Sequence, residues 1–236
     1  MKIAEAIARV RSLYNHGTGS DDSDLSDRHI YAKLVSARTL LVKREIDKKR
    51  QVSDWIVQTI NCLELEVAKP NECPCAIPPG CTALKSVNKI PKPIQSFIGP
   101  ELEFVTTMDG GTVYSKTDWV KKRYKSGNKY TADSPDYSIK NDYLFLIHAG
   151  KLLKYITIGG VFEDPLEVPY ANGCNEGTCV NPYEEDFPID LHLMDALIQM
   201  AAQELIQVFK SIPTDDENNA AEDKQRIAQA PAKKDN

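Results

Sequence analysis

Five of the six cysteines fall in two short stretches, so thiolate chemistry is the first possibility the residue types raise. Cys73-Pro74-Cys75 and Cys81 lie in a proline-rich stretch, and Cys174 and Cys179 lie in a second one rich in Gly and Asn. Four deprotonated sulfurs drawn from two loops can close a tetrahedral zinc site. Neither half has the C-x₂-C form of a zinc knuckle, however. The spacing favours unliganded thiols over a disulfide between the loops or a bound metal, and no cofactor is expected.

Other reactive types are no better placed. His16, His29, His148 and His192 stand beside no carboxylate or cysteine in a catalytic spacing, and His148, before Ala149-Gly150, reads as a turn residue. No G-x-S-x-G elbow is present. Gly110-Gly111 and Gly159-Gly160 lack the spacing and the lysine of a phosphate loop. Glu163-Asp164 and Glu184 to Asp186 read as solvated acidic loops rather than an acid/base pair. Trp119 to Tyr124, with Lys125, Lys129 and Tyr130, interleaves aromatics and cations. Such a mixture can stack bases and neutralise phosphate, but here it reads as ordinary aromatic packing within an acidic chain. Nothing in this inventory argues for catalysis.

The elements that would position these residues are helical at both ends and extended in the middle. Ile3, Ile7, Val10 and Tyr14 recur at helical steps, and His16 to Ser20 break the pattern. A second helix is predicted from about Asp24 to about Gln51, capped by Ser23 or Asp24. Ile30, Leu34, Ala37 and Leu41, widened by Val42 and Ile46, form its stripe. At 1.5 Å per residue it is roughly 40 Å long, the length of a strut.

From Trp55 to about Tyr170 the pattern becomes that of antiparallel strands. Trp55, Val57 and Thr59, then Leu63, Leu65 and Val67, approximate a period of two. Asp109-Gly110-Gly111 and Asn141-Asp142 are hairpin signals. Gly159-Gly160 predicts a bulge or bend. Helix returns after Pro188, with Asp190 as cap. Leu191, Met194, Ile198, Ala201, Leu205, Val208, Phe209 and Ile212 mark its apolar face, and Pro213 ends it. The expected fold class is α+β: a helical segment at 1–54, an antiparallel β domain at 55–170, a cysteine-containing loop at 171–186, a C-terminal helix at 187–212 packing on the first helices, and an extended tail at 213–236.

The chain of 236 residues is 42% hydrophobic and 27% charged, enough to bury a core without staples. Its longest apolar runs, Leu40 to Val42 and Leu144 to Ile147, are too short to span a bilayer. The first helix carries Glu5, Arg9 and Arg11, which argues against a signal peptide. A net charge of −5 argues against duplex binding. The cluster Lys43, Arg44, Lys48, Lys49 and Arg50 is interrupted by Glu45 and Asp47 and reads as a solvated helix face.

Several phrases carry a resemblance. Ile30 to Leu41 running on to Ser53-Asp54-Trp55, together with Pro93 to Pro100, Gly127 to Thr131 and Phe162 to Pro165, is similar to structural proteins of crAss-like bacteriophages. The arrangement of helical pair, inserted β domain and closing helix, over roughly residues 25–212, resembles the adaptor, or ring, proteins of podovirus-type head–tail connectors. The resemblance implies a non-enzymatic virion protein of the neck or tail, assembled in the host cytoplasm. It implies copies in a ring, twelvefold, docked on the portal and on further tail or ring proteins. Double-stranded DNA would pass through the lumen without sequence-specific binding, for which an acidic subunit is suited. The alternatives are another neck or tail ring or hub protein, and an uncharacterised enzyme or ligand-binding protein.

Contact residues are expected from the residues themselves. If the long helix packs between subunits, Leu34 and Leu41 meet the neighbour, and an acidic residue there abolishes ring assembly. The tail, too polar to fold alone, is expected to dock on a partner through Ile227, its only large apolar residue, with Arg226 as the ion-pair candidate.

Overall fold

Ile3, Ala6, Ile7, Val10 and Tyr14 share one face of a helix, and burying that stripe requires another helical surface. In the computed structural model the surface comes from both neighbouring and distant sequence. The structure describes residues 1–17, 25–49, 53–69, 83–97, 99–100, 102–118, 128–150, 152–173 and 181–209. Helix α1 spans Ile3–Tyr14, α2 Asp27–Lys49, and the last described helix, α4, Leu191–Phe209. Between α2 and α4 lie strands β1 (Gln58–Val67), β2 (Leu84–Ser86), β3 (Gln95–Ser96), β4 (Gly99–Pro100), β5 (Leu102–Thr107), β6 (Ser115–Lys116), β7 (Asp136–Lys140), β8 (Tyr143–Ile147) and β9 (Tyr155–Gly160). A five-residue helix, α3 (Glu167–Ala171), follows β9. The molecule is α+β.

Helix α2 is about 34 Å long at 1.5 Å per residue. Ser26 caps it: the His29 amide donates to Ser26 Oγ at 3.3 Å, and the Ile30 amide to its carbonyl at 3.2 Å. The cap expected at Ser23 or Asp24 thus moves to Ser26, and those two residues lie outside the described ones. Helix α4 runs antiparallel to α2. Ser53 Oγ donates to Asp190 at one end (2.8 Å), while Lys33 pairs with Glu204 (3.1 Å) and His29 meets Phe209 (6.2 Å between rings) toward the other. The Asp190 carboxylate therefore accepts from Ser53. Helix α1 starts beside 185–187, where the Ile3 amide donates to Glu185 (3.0 Å) and the Phe187 amide to Met1 (2.9 Å). It ends where Arg11 pairs with Asp27. Leu34, Leu197 and Ala201 fill the resulting three-helix core.

Seven strands form one sheet in the order β5-β9-β1-β2-β8-β7-β6. A turn at 108–111 joins its opposite edges: Tyr114 donates to Val105 at 2.8 Å, Thr107 to Thr112 at 3.1 Å, and the strand continues into β6. The sheet is nearly closed. The expected Asn141-Asp142 turn joins β7 to β8, with both residues at positive φ (53° and 66°), as a two-residue primed hairpin requires.

Three expectations need correction. The sheet is not wholly antiparallel, because β6 pairs with β7 in parallel. Gly159-Gly160 does not bend the strand, since both residues pair in β9; a bulge does fall at this step of the ladder but on the facing strand, in β5 between Leu102 and Phe104, and a second irregularity lies in β1 between Ile60 and Leu63. What requires glycine is the Phe104 ring, since a Cβ on Gly159 would lie 2.3 Å from Phe104 Cε1. The bulge in β1 changes the phase of burial, from Ile60 and Cys62 to Leu63 and Leu65, so a single period of two fails there. Trp55 lies in the preceding turn and is exposed, while Ile56 is buried.

Candidate functional site

Position 38 lies four residues after Leu34, on the buried stripe of α2, yet carries arginine. Arg38 is fully buried. Its Nε donates to the Pro188 carbonyl at 2.8 Å and Nη1 to the Phe162 carbonyl at 2.7 Å, with the Glu163 carbonyl at 3.5 Å. The guanidinium also lies 5.9 Å from the centre of the Phe187 ring. One cation thus fastens three segments: α2, the chain leaving β9 and the chain entering α4. Burial lowers its pKa to about 10, opposed by Tyr31 and Asp164, so it stays charged at neutral pH. Beside it Tyr31 donates to Asp164 Oδ1 at 2.6 Å, and burial followed by that carboxylate raises the phenol pKa.

Just past Arg38 the long helix changes partners. Leu41 packs with the three-helix core, and Val42 and Ile46 pack with Ile56, Ile94 and Val161 in a small separate cluster. Helix α2 is a strut shared by the three-helix core and this small separate cluster, while among the described residues the core of the sheet contains no residue of α2. The contacts of this junction hold segments together: they tie α2 to residues 162–164 and to Pro188.

Large apolar side chains stand exposed at both ends of the helical layer. Trp55 (84% exposed) and Leu191 (82%) flank the Ser53–Asp190 hydrogen bond. Leu13, Val208 and Phe209 are exposed where α1 and α4 finish. Leu191, Val208 and Phe209 were expected on the packed face of the last helix. They fall outside it because the buried stripe runs only from Met194 to Leu205. Phe97 stands out from the β3–β4 turn (93% exposed), held by its amide donating to Asp47 at 3.0 Å. A groove of about 410 Å³ lies between residues 88–92, Asp142 and α3. Its lysines are already paired, Lys89 with Asp142 (3.1 Å) and Lys92 with Glu163 (3.2 Å). Glu167 on its rim has a raised pKa, from desolvation first and then from Asp164 and Glu163.

The residues singled out in the sequence are dispersed. Leu34 is fully buried and Leu41 nearly so, both against the chain's own helices. An acidic residue at Leu34 therefore acts on the subunit's own fold before it acts on a neighbour. Arg226, Ile227, Cys73, Cys75, Cys81, Cys174 and Cys179 lie outside the described residues, as do Trp119 to Tyr124. Cys62, the one cysteine outside the two stretches, is disulfide-bonded. Its bulged backbone also pairs with the chain after α3: the Cys62 amide donates to Asn172 Oδ1 (3.2 Å) and the Gly173 amide donates to the Cys62 carbonyl (2.8 Å). His148, with φ of 59°, is the expected turn residue, and His29 bonds Ser26 Oγ at 3.1 Å. Among the described residues no group of three His, Cys, Asp or Glu side chains could hold a metal ion, and no helix is long and apolar enough to cross a membrane.

Sequence reasoning missed Arg38, Trp55 and Leu191. Arg38 carries a usable signal, a cation on the apolar stripe. Trp55 and Leu191 carry none, because apolar residues at element starts read as core.

No curated protein matches the chain. A family described as phage tail ring protein 2, of crAss-like phages, matches residues 5–224, nearly the whole sequence. The chain belongs to that phage tail ring protein family, a structural family of the virion tail whose members form rings.

Proposed function

We propose that the chain is a head–tail connector (adaptor) subunit: copies form a ring, twelvefold, that links the portal to the tail and lines part of the DNA channel. Family membership across residues 5–224 is the observation that carries this reading, and a structural tail family supports a non-enzymatic role. The helical segment 1–54, the β segment 55–170, the loop 171–186, the closing helix 187–212 and the tail 213–236 then act as one building block. Its α2 strut, packed in the three-helix core and fastened at Arg38 to the chain leaving the sheet, suits a part that transmits load between rings. The net charge of −5 suits a lumen through which double-stranded DNA slides without being held. The tail, anchored by Ile227 with Arg226 beside it, docks on the neighbouring subunit, the portal or the next ring. Assembly takes place in the host cytoplasm. Membership in a tail ring family equally supports a second reading, a ring or hub lower in the same stack.

The test is to locate the chain in averaged images of the assembled particle. Twelve copies directly beneath the portal are expected. A position further down the tail would replace the connector by the second reading, and absence from the particle would overturn both.

A further inference from the structure

A ring subunit repeats one contact around an axis, and such a head-to-tail contact needs two different surfaces on each copy. We infer that the two apolar ends of the helical layer are those surfaces: the Trp55–Leu191 end of one copy seats on the Leu13–Val208–Phe209 end of the next. This rests on the ring reading and names the partner of each surface as a second copy of this chain.

Three observations carry it. First, Trp55 and Leu191 are more than four-fifths exposed but not loosely held. Trp55 belongs to a turn closed by the Ile56 amide donating to Ser53 (3.0 Å), Leu191 opens α4, and the Ser53–Asp190 hydrogen bond of 2.8 Å ties the two together. An exposed tryptophan on a hydrogen-bonded turn, with an exposed leucine nearby, is the composition of an interface anchor. Second, the other apolar group stands at the opposite end of the same layer, about 28 Å away along α4. Leu13 is there because α1 finishes beside the start of α2, where Arg11 pairs with Asp27. Phe209 is there because its ring packs on His29. Two apolar surfaces at opposite ends of a stiff three-helix unit make a contact that propagates from copy to copy. Third, the exposed charges beside them are opposite. Asp54 adjoins Trp55, and Asp195 lies one helical turn beyond Leu191. Arg9 lies one turn before Leu13, and Arg28 is in the first turn of α2. Complementary charge of this kind sets orientation and suppresses like-to-like pairing.

The experiment uses two full-length variants, Trp55→Glu/Leu191→Glu and Val208→Glu/Phe209→Glu. Each spoils one end only, and native mass spectrometry reads the assembly state. All four positions are exposed, so circular dichroism should show both variants folded; Trp55→Ala alone is the gentler check and should loosen the ring. Wild type should form a closed oligomer and each variant alone a monomer. An equimolar mixture should give heterodimers and nothing larger, because only one intact pair of surfaces remains. Rings from either variant, or a mixture with no heterodimer, would overturn the assignment while leaving the ring reading intact. A variant that forms rings but no longer joins the particle would give that end to another virion protein, which also overturns it. A wild-type chain that is monomeric both alone and in the particle would instead sink the ring reading.

Discussion

In the helical layer, residues from opposite ends of the chain meet on continuous faces: Ile3, Ile7 and Val10 of α1 and Leu197, Ala201 and Leu205 of α4 share one core with Leu34 of α2. In the sheet, neighbouring strands change phase at bulges in β1 and β5, and one glycine is present because an aromatic ring covers it. The first region is held by area, which any well-matched apolar residue supplies at about 1.5–3 kcal/mol per buried side chain. The second is held by fit. Helix α2 belongs to the first and reaches the second only through Arg38, which donates to the Phe162 carbonyl, and through the small Val42–Ile46 cluster beyond it.

Arg38 is therefore where the comparison breaks most readily. Arg38→Met keeps much of the side-chain volume but leaves the carbonyls of Phe162 and Pro188 without their donor. Leaving a buried carbonyl unpaired costs about 1–3 kcal/mol. Urea unfolding should show that loss. Amide exchange should show the helical layer and the sheet opening separately where the wild type opens as one. A variant within about 1 kcal/mol of wild type, unfolding in a single step, would mean that the helical layer and the sheet are joined without help from these hydrogen bonds.

The same contrast explains what was legible in the sequence. Ile3, Ile7, Val10 and Tyr14, and Met194, Ile198, Ala201 and Leu205, are buried as their periodicity requires, because helical burial depends on local spacing. The Asn141-Asp142 turn was legible for a similar reason: its conformation is set by two adjacent residues. The phase change at Ile60–Leu63, the demand for glycine at 159 and the partners of Arg38 depend on residues 55 to 150 positions away, which no window reveals. The candidate surfaces were the least legible. Trp55 and Leu191 look like core residues until the Ser53–Asp190 contact shows where the elements stop.

Fit in the sheet can be sharpened at Gly159. An added methyl would sit 2.3 Å from Phe104 Cε1 and 2.4 Å from Cζ, so the ring has to move off β9. Gly159→Ala should cost about 1–3 kcal/mol, the usual range for overpacking. In a Phe104→Leu background the same substitution should cost less, and that coupling is the signature of fit. Equal costs in both backgrounds would locate the strain in the strand backbone instead.

The smallest effect is expected where the sheet closes, at a turn with no core to rely on. Asp109 is fully exposed, yet its carboxylate pKa lies below the usual range, first because it bonds Thr107 and then because the Gly111 amide donates to it. That amide contact is 3.2 Å, and Gly110 beside it has φ of 71°, so the 108–111 turn is shaped by local chemistry. A carboxyl group whose folded pKa is depressed contributes stability that is fully present above its unfolded pKa, about 3.9. The contribution is lost as pH falls through the lower folded value, because the unfolded chain then binds more protons than the folded one. Asp109→Asn keeps an acceptor oxygen but removes the charge. It should be slightly less stable than wild type at neutral pH, and urea unfolding between pH 7 and pH 3 should show the two converging as the medium becomes acidic. The helical layer, with no share in this turn, should keep its amide protection unchanged throughout. A gap that stays constant down to pH 3 would mean that the hairpin is held by its backbone pairs, Thr107 with Thr112 and Tyr114 with Val105, and owes nothing to the carboxylate.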